Sequence, residues 1–257
     1  MQDLTLSLIQ TTQSWEDKDT NLGHFERLLE QCPSAGNLIV LPEMFNTGFT
    51  MNVETCSETM DGTSVKWMHA MAKKYDTAIA ASLIISDAGQ YFNRFLLVHP
   101  SGEIKYYDKR HLFTMAGEHE VFTQGNEIVI WDLDTWKICP QVCYDLRFPV
   151  WSRNTTGFDL LLYTANWPKK RINHWVQLLK ARAIENQCYV AGINRIGLDG
   201  NDIQYNGNSL VANFDGDLVS FNQDEEVILT TTLSRSELDQ RRQLFPVLND
   251  RDSFRIV

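Results

Sequence analysis

Three residues far apart in the chain have the side-chain types for one chemistry. Glu43 lies in Leu-Pro-Glu-Met-Phe, Lys109 in Tyr-Asp-Lys-Arg-His-Leu-Phe, and Cys143 in Cys-Pro-Gln-Val-Cys-Tyr-Asp-Leu-Arg-Phe. A thiol near a base and a fixed positive charge is equipped for acyl transfer through a thioester. The base is needed because a free thiol is little ionised at neutral pH. The cation is needed because attack on a carbonyl puts negative charge on its oxygen.

Each residue also has an ordinary role open to it. Most free cysteines are small buried hydrophobes. The strand-like run ending in Val142, however, passes straight into Tyr144-Asp145 and soon reaches Pro149. A residue at such a turn is presented outward, and the following amide, that of Tyr144, is free to donate to an oxyanion. Cys32, Cys56, Cys139 and Cys188 lack that setting and are taken as structural. Glu43 could be an exposed loop carboxylate, but it follows Pro42 and stands among Met44, Phe45 and Phe49. Such apolar surroundings suit a carboxylate to accept a proton. Lys109 could be a solvated surface lysine, or the cation that holds the oxyanion. Tyr144, Asn166, Trp167 and Phe49 are the expected substrate contacts. Two partners are open to Arg147, namely Asp145 or a substrate carboxylate, and the frequency of arginine in ion pairs favours the first.

Other chemistries have less support. His111, Glu118, His119 and Glu120 cluster within ten residues, but no His-Glu-x-x-His and no Cys-x-x-Cys occurs, so a metal site is not expected. No local signature of a papain-like Cys-His enzyme surrounds Cys143. There is no Gly-x-Gly-x-x-Gly and no Gly-Lys-Ser/Thr loop for a dinucleotide or phosphate.

The segments around Glu43, Lys109 and Cys143 resemble the nitrilase, or carbon-nitrogen hydrolase, superfamily. That resemblance implies a Glu-Lys-Cys triad in this order, with a second Glu between the Lys and the Cys. Here it is Glu118, in Ala-Gly-Glu-His-Glu-Val-Phe, which would hold Lys109 and the substrate amide in place. Without the resemblance, Glu118-His119-Glu120 would read as a polar loop. The family further implies a four-layer α-β-β-α sandwich and a homodimer formed through the helical layer; no cofactor is expected, because thiol-based acyl transfer needs none. The stretches Thr-Ala-Asn-Trp-Pro (164–168), Ala-Arg-Ala-Ile-Glu-Asn-Gln (181–187) and Gly-Ile-Asn-Arg-Ile-Gly (192–197) look most like bacterial omega-amidases, which hydrolyse the distal amide of 2-oxoglutaramate and related small acids. Two family alternatives stay open: amidases of deaminated glutathione share Cys-Tyr-Asp-Leu-Arg-Phe, and carbamoylputrescine-type amidases share the four residues. A non-catalytic small-molecule binding protein is a third, against which the complete set counts. One departure is Val150, which stands where many relatives carry Glu.

Composition bounds the rest. A chain of 257 residues with 43% apolar content buries a large core, and no Pro/Gly/Ser-rich linker divides it, so one domain over 1–257 is expected. A net charge of -10 argues against nucleic acid as a partner, because phosphate binding needs clustered Lys and Arg. It does not fix the sign of the pocket. The start Met-Gln-Asp-Leu-Thr-Leu lacks the basic and apolar regions of a signal peptide, and no apolar run is long enough to cross a bilayer. Five irregularly spaced cysteines suit a reducing compartment, so the cytoplasm is the default.

Strand-like and helix-like segments alternate along the chain. Leu4, Leu6 and Leu8 alternate with polar residues, predicting a strand with one buried face, whereas the continuous run 38–41 predicts one covered on both faces. Further strands are expected at 78–85, 92–98, 103–107, 128–133, 137–142, 160–163, 189–194, 209–214 and 227–233. Helices are expected at 20–32, capped by Thr20 or Asn21, at 63–75, and at 171–186 with Trp175, Leu178 and Leu179 inward. Turns are expected at 87–90 and 100–102. Pattern alone yields a layered α/β domain.

Overall fold

The computed structural model describes residues 2–32 and 36–256. Two sheets form the frame. The first contains β1 (Leu4–Gln10), β2 (Leu38–Val40), β3 (Ala78–Asp87), β4 (Gln90–Val98) and β5 (Ile104–Asp108), joined by a late strand, β13 (Val227–Leu233). Their order is β13-β1-β2-β3-β4-β5. The second contains β6 (Trp131–Leu133), β7 (Trp136–Val142), β8 (Leu160–Ala165), β9 (Tyr189–Asn194), β10 (Ile196–Leu198), β11 (Gln204–Ala212) and β12 (Leu218–Gln223). They run in the order β10-β11-β9-β8-β7-β6, with β12 paired on β11.

The helices cover the outer faces. α1 (Lys18–Glu30) and α3 (Thr63–Tyr75) place Phe25, Leu29, Met68 and Ala72 against Ile9, Ile39 and Ile79 of the first sheet. α5 (Ile172–Asn186) places Trp175, Leu179 and Ala183 against Leu161, Tyr163 and Val190 of the second. Between the sheets a third cluster interleaves Leu4, Leu6, Leu8 and Phe95 with Trp131, Ile138, Leu160 and Leu162. The result is the expected α-β-β-α sandwich, because each sheet has two apolar faces and needs a partner on both. Among the described residues, no helix is long and apolar enough to cross a membrane.

Several elements differ from the expectation. β1 is buried on both faces, not one, since it lies inside the sheet between β13 and β2. Its Ser7 is accommodated by a hydroxyl contact to Thr230 at 2.9 Å. α1 begins two residues early, because Asp17 is the cap and accepts from Thr20 N at 3.0 Å. Asn21 instead bridges Ser14 and the Asn46 carbonyl. β6 starts only at Trp131, where pairing with β7 begins. Leu178 is half-buried, while Trp175 and Leu179 are fully inside. β11 begins at Gln204, well before the expected 209.

Two short helices, α2 (Val53–Cys56) and α4 (Glu118–Val121), escape periodicity because they are single turns. α6 (Arg235–Leu244) escapes it because Leu238 is its one buried apolar side chain. Its start was nevertheless written in Ser234-x-x-Glu237, where the Ser234 hydroxyl accepts from Glu237 N at 3.3 Å. Charge holds it down: Arg235 and Arg242 both donate to Asp159, at 2.9 and 2.8 Å.

Strand direction decides where the functional residues emerge. β1, β2 and β3 are parallel, β4 is antiparallel to β3, and β5 is antiparallel to β4. β5 therefore runs the same way as β2, and both release their chains at one edge. β7, β8 and β9 are parallel in the second sheet. The Thr164 hydroxyl donates to the Leu41 carbonyl at 2.9 Å, so the carboxyl ends of β8 and β2 meet. Replacing Asp17 with Ala should lower unfolding free energy by about 1 kcal/mol, read by urea denaturation. The same loss from Thr20→Val with none from Asp17→Ala would contradict this cap.

Candidate active site

Glu43 follows β2, Lys109 follows β5, Cys143 follows β7 and Asn166 follows β8, all at that shared edge. Lys109 is the centre of the cluster. Its Nζ donates to Glu43 Oε1 at 3.0 Å and to both oxygens of Glu118 at 2.9 Å. All three side chains are almost wholly shielded from water. Burial disfavours the charged lysine, but the carboxylates of Glu118 and Glu43 outweigh it and hold the ammonium above its ordinary range. Glu118 is shifted up by burial, an effect that Lys109 opposes and Glu43 adds to.

The backbone sets these positions. Gly117, at φ 74°, supplies the left-handed residue from which α4 starts, and so aims Glu118 back at Lys109. The Glu118 carboxylate also accepts from the Phe113 amide. Glu118 is thus not part of a polar surface loop. Glu43 is gripped from several sides, since it accepts from Asn93 Nδ2 and from the Asn166 amide, each at 2.8 Å, besides Lys109. Its own carbonyl accepts from Asn166 Nδ2 and Gln13 Nε2. Glu43 is buried, but its oxygens face donors; of the apolar neighbours read from sequence, Phe45 packs among the α1 and α3 side chains and Met44 with Val53 and Ile84.

Cys143 opens a 3-10 turn, Cys143–Arg147, directly after β7. Its φ of 44° lies in the left-handed region, a conformation that costs a non-glycine residue about 1–3 kcal/mol. Asp145 holds the turn in place. One of its oxygens accepts from Val142 N at 3.0 Å and Tyr107 Oη at 2.8 Å; the other accepts from His111 N at 2.9 Å and faces His111 Nδ1 at 2.8 Å. In the first turn the Tyr144 amide has no helical carbonyl to bond, leaving it available to an oxyanion. The Cys143 thiol is pushed well above its usual range, first by burial and next by the Glu43 carboxylate, with Lys109 offsetting part of this. Its hydrogen bond runs to the Asn166 carbonyl at 3.9 Å, with the Glu43 carboxylate near enough to act on its charge. A thiol so protonated needs a base to take its proton as it attacks.

Above the cluster opens a cavity of about 650 Å³. Phe49, Tyr144, Asn166 and Trp167, the residues expected to contact substrate, line it together with Phe113 and Tyr205. Lys109 Nζ also stands 5.2 Å from the Phe49 ring centroid. Arg147 departs from its favoured assignment. The four contacts above occupy Asp145, and Arg147 instead lies over the Trp167 ring at 4.7 Å, inside the cavity. His111 and Glu118 are committed to Asp145 and Lys109, which separates the group once weighed as a metal cluster. Sequence reasoning missed Asn93, Gln13 and Asp145. Asn93 had a signal: it is an uncharged polar residue in the otherwise largely aromatic and aliphatic strand Gln90–Val98.

A layered sandwich with a thiol, a carboxylate and an ammonium at its joined strand edge defines an enzyme class that hydrolyses carbon–nitrogen bonds. Over residues 5–243 the chain matches the carbon-nitrogen hydrolase family, and it belongs to that family. It is similar to the omega-amidase YafV of Escherichia coli K12, 46% identical over 257 residues and 100% of both chains. It is also similar to the 2-oxoglutaramate amidase of Bacillus subtilis 168, 32% identical over 251 residues and 96% of each chain. Among solved structures, a CN-hydrolase superfamily protein of Xanthomonas campestris carrying an arsenic adduct in its active site matches with a TM-score of 0.97, at 41% identity over 100% of both chains.

Lys109→Met should leave the two buried carboxylates without their cation and cost about 3–5 kcal/mol of stability by denaturant unfolding. Alkylation of Cys143 by iodoacetamide should keep accelerating as pH rises past the ~8.5 of a free thiol, because burial holds the thiol protonated. A rate that levels off near neutral pH would show a preformed thiolate instead.

Proposed function

We propose that the protein is an omega-amidase: it hydrolyses the distal amide of small 2-oxo-acid monoamides, converting 2-oxoglutaramate to 2-oxoglutarate and ammonia. The observation that carries the chemistry is that the Cys143 thiol, the Glu43 carboxylate and the Lys109 ammonium that Glu43 accepts from at 3.0 Å all face one cavity. The activities named for the Escherichia coli and Bacillus subtilis relatives support the substrate.

In the proposed cycle Glu43 removes the proton from Cys143 as Sγ attacks the amide carbon. The carbonyl oxygen becomes an oxyanion, held by the Lys109 ammonium and the Tyr144 amide. Glu43 gives the proton to the amide nitrogen, the C–N bond breaks, ammonia leaves, and a thioester remains on Cys143. Glu43 then deprotonates a water that attacks the thioester. Collapse of that second intermediate releases the carboxylic acid and returns the thiolate, which recovers its proton from Glu43. Glu118 positions Lys109 throughout, and none of these steps calls for a cofactor.

The proposal includes one carbon-nitrogen hydrolase domain, supported by the 5–243 match, and action in the cytoplasm, supported by Cys56, Cys139, Cys143 and Cys188 being outside any disulfide. A homodimer is proposed on family likeness, and light scattering tests it. For the activity, Cys143→Ala and Glu43→Gln should each lower ammonia release from 2-oxoglutaramate by about a hundredfold or more. Turnover close to wild type in either variant would overturn the mechanism.

A further inference from the structure

The cavity is larger than the proposed substrate needs. Its volume of about 650 Å³ is one that holds drug-sized ligands, and a five-carbon monoamide fills only a small part of it. Part of its lining comes from two loops that carry no catalytic group. Trp15 belongs to the loop between β1 and α1, while Asp199, Ile203 and Tyr205 belong to the hairpin of β10 and β11.

Trp15 packs against the backbone of two glycines. A methyl group on Gly200 would stand 2.5 Å from Trp15 Cδ1 and Nε1, and one on Gly48 would stand 3.3 Å from its Cε3. The close approach at Gly200 therefore requires a residue without a side chain. Both loops are tied down. Gln13 Nε2 donates to the Glu43 and Met44 carbonyls at 3.1 and 3.2 Å, and the Glu16 amide donates to the Thr47 carbonyl at 2.8 Å. Arg195 Nη2 donates to the Gln13 and Leu198 carbonyls at 3.1 and 2.9 Å, which joins the two loops.

The acids in this part of the lining are already engaged. Glu16 accepts from Thr50 and Asn52. Asp199 accepts from the Asn201 and Ile203 amides at 2.8 and 3.0 Å, and from Tyr205 Oη at 2.8 Å. Trp15 is only half-buried, so its ring keeps surface to offer a ligand. A ring fixed in advance binds an aromatic group without first having to be ordered.

We propose that Trp15 is the fixed wall of an outer apolar subsite, which takes an aryl group on the acyl chain of an amide whose carbonyl lies at Cys143. This rests on the amidase reading and goes beyond it: the protein also hydrolyses neutral arylalkyl amides, by the same thioester cycle. 4-Phenylbutanamide and water give 4-phenylbutanoic acid and ammonia. Trp15 is a specificity determinant and moves no proton.

Protection of Cys143 from iodoacetamide reads this binding without turnover. In the wild type, 4-phenylbutanamide should half-protect at a concentration about tenfold or more below that of butanamide, the scale of burying one aryl ring. In Trp15→Ala that ratio should fall towards one, and Trp15→Phe, which keeps a ring, should recover part of it. Gly200→Ala, which displaces the indole, should lower it too. Each ratio compares two ligands on one protein, so a loss of folded protein does not alter it. Ammonia release should rank the two amides in the same order, with the difference in KM more than in kcat. Equal half-protecting concentrations in the wild type, or an unchanged ratio in Trp15→Ala, would overturn the subsite. If the ratio holds but neither amide nor 2-oxoglutaramate releases ammonia, the amidase reading falls and the subsite stands.

Discussion

The arrangement depends on one buried ammonium. Lys109 holds two carboxylates that would otherwise repel each other out of reach of water, and each carboxylate comes from a different part of the chain. Burying three charges is costly, and the cost is met here by short contacts and by amide donors from Asn93, Phe113 and Asn166. The cluster is not a favourable staple in the way an apolar contact is. It persists because the two packed sheets hold its members together, and it leaves the site poised: one carboxylate is committed to the lysine, while the other also acts on the thiol.

That poise explains the division of labour between the two glutamates. Glu118 gives both oxygens to Lys109 and a further contact to the Phe113 amide, so it has little freedom to exchange a proton with a ligand. Glu43 spends one oxygen on Lys109 and Asn93 and the other on the Asn166 amide, and its charge acts on Cys143 more strongly than that of Glu118. Position, more than residue type, separates a base from a brace.

The cavity adds a second layer of electrostatics. Its floor holds the compensated cluster, while its wall carries the Arg147 and Arg171 guanidinium groups, which form no ion pair among the described residues. Overall charge could not have revealed this, because an acidic surface and basic side chains within a cavity coexist in one molecule, here with the guanidinium groups against the Trp167 and Phe113 rings.

The chain of residues was enough to mark Glu43, Lys109 and Cys143, since each follows an apolar run whose burial pattern is local. The helix Thr63–Tyr75 and the strands Tyr189–Asn194 and Val227–Leu233 were legible to the residue for the same reason. Glu118 was legible only through family likeness, because a one-turn helix has no periodicity to read. Tertiary structure alone decided the roles of Asn93, Asp145 and Arg147. Their partners lie on other strands and turns, so local pattern carries no trace of them. Asp145 had been matched to its neighbour Arg147, yet the fold brought Tyr107 and His111 to it first and turned the arginine into the cavity. Hydrophobic spacing is written along the chain, whereas a polar group's choice of partner is settled by which strands end side by side.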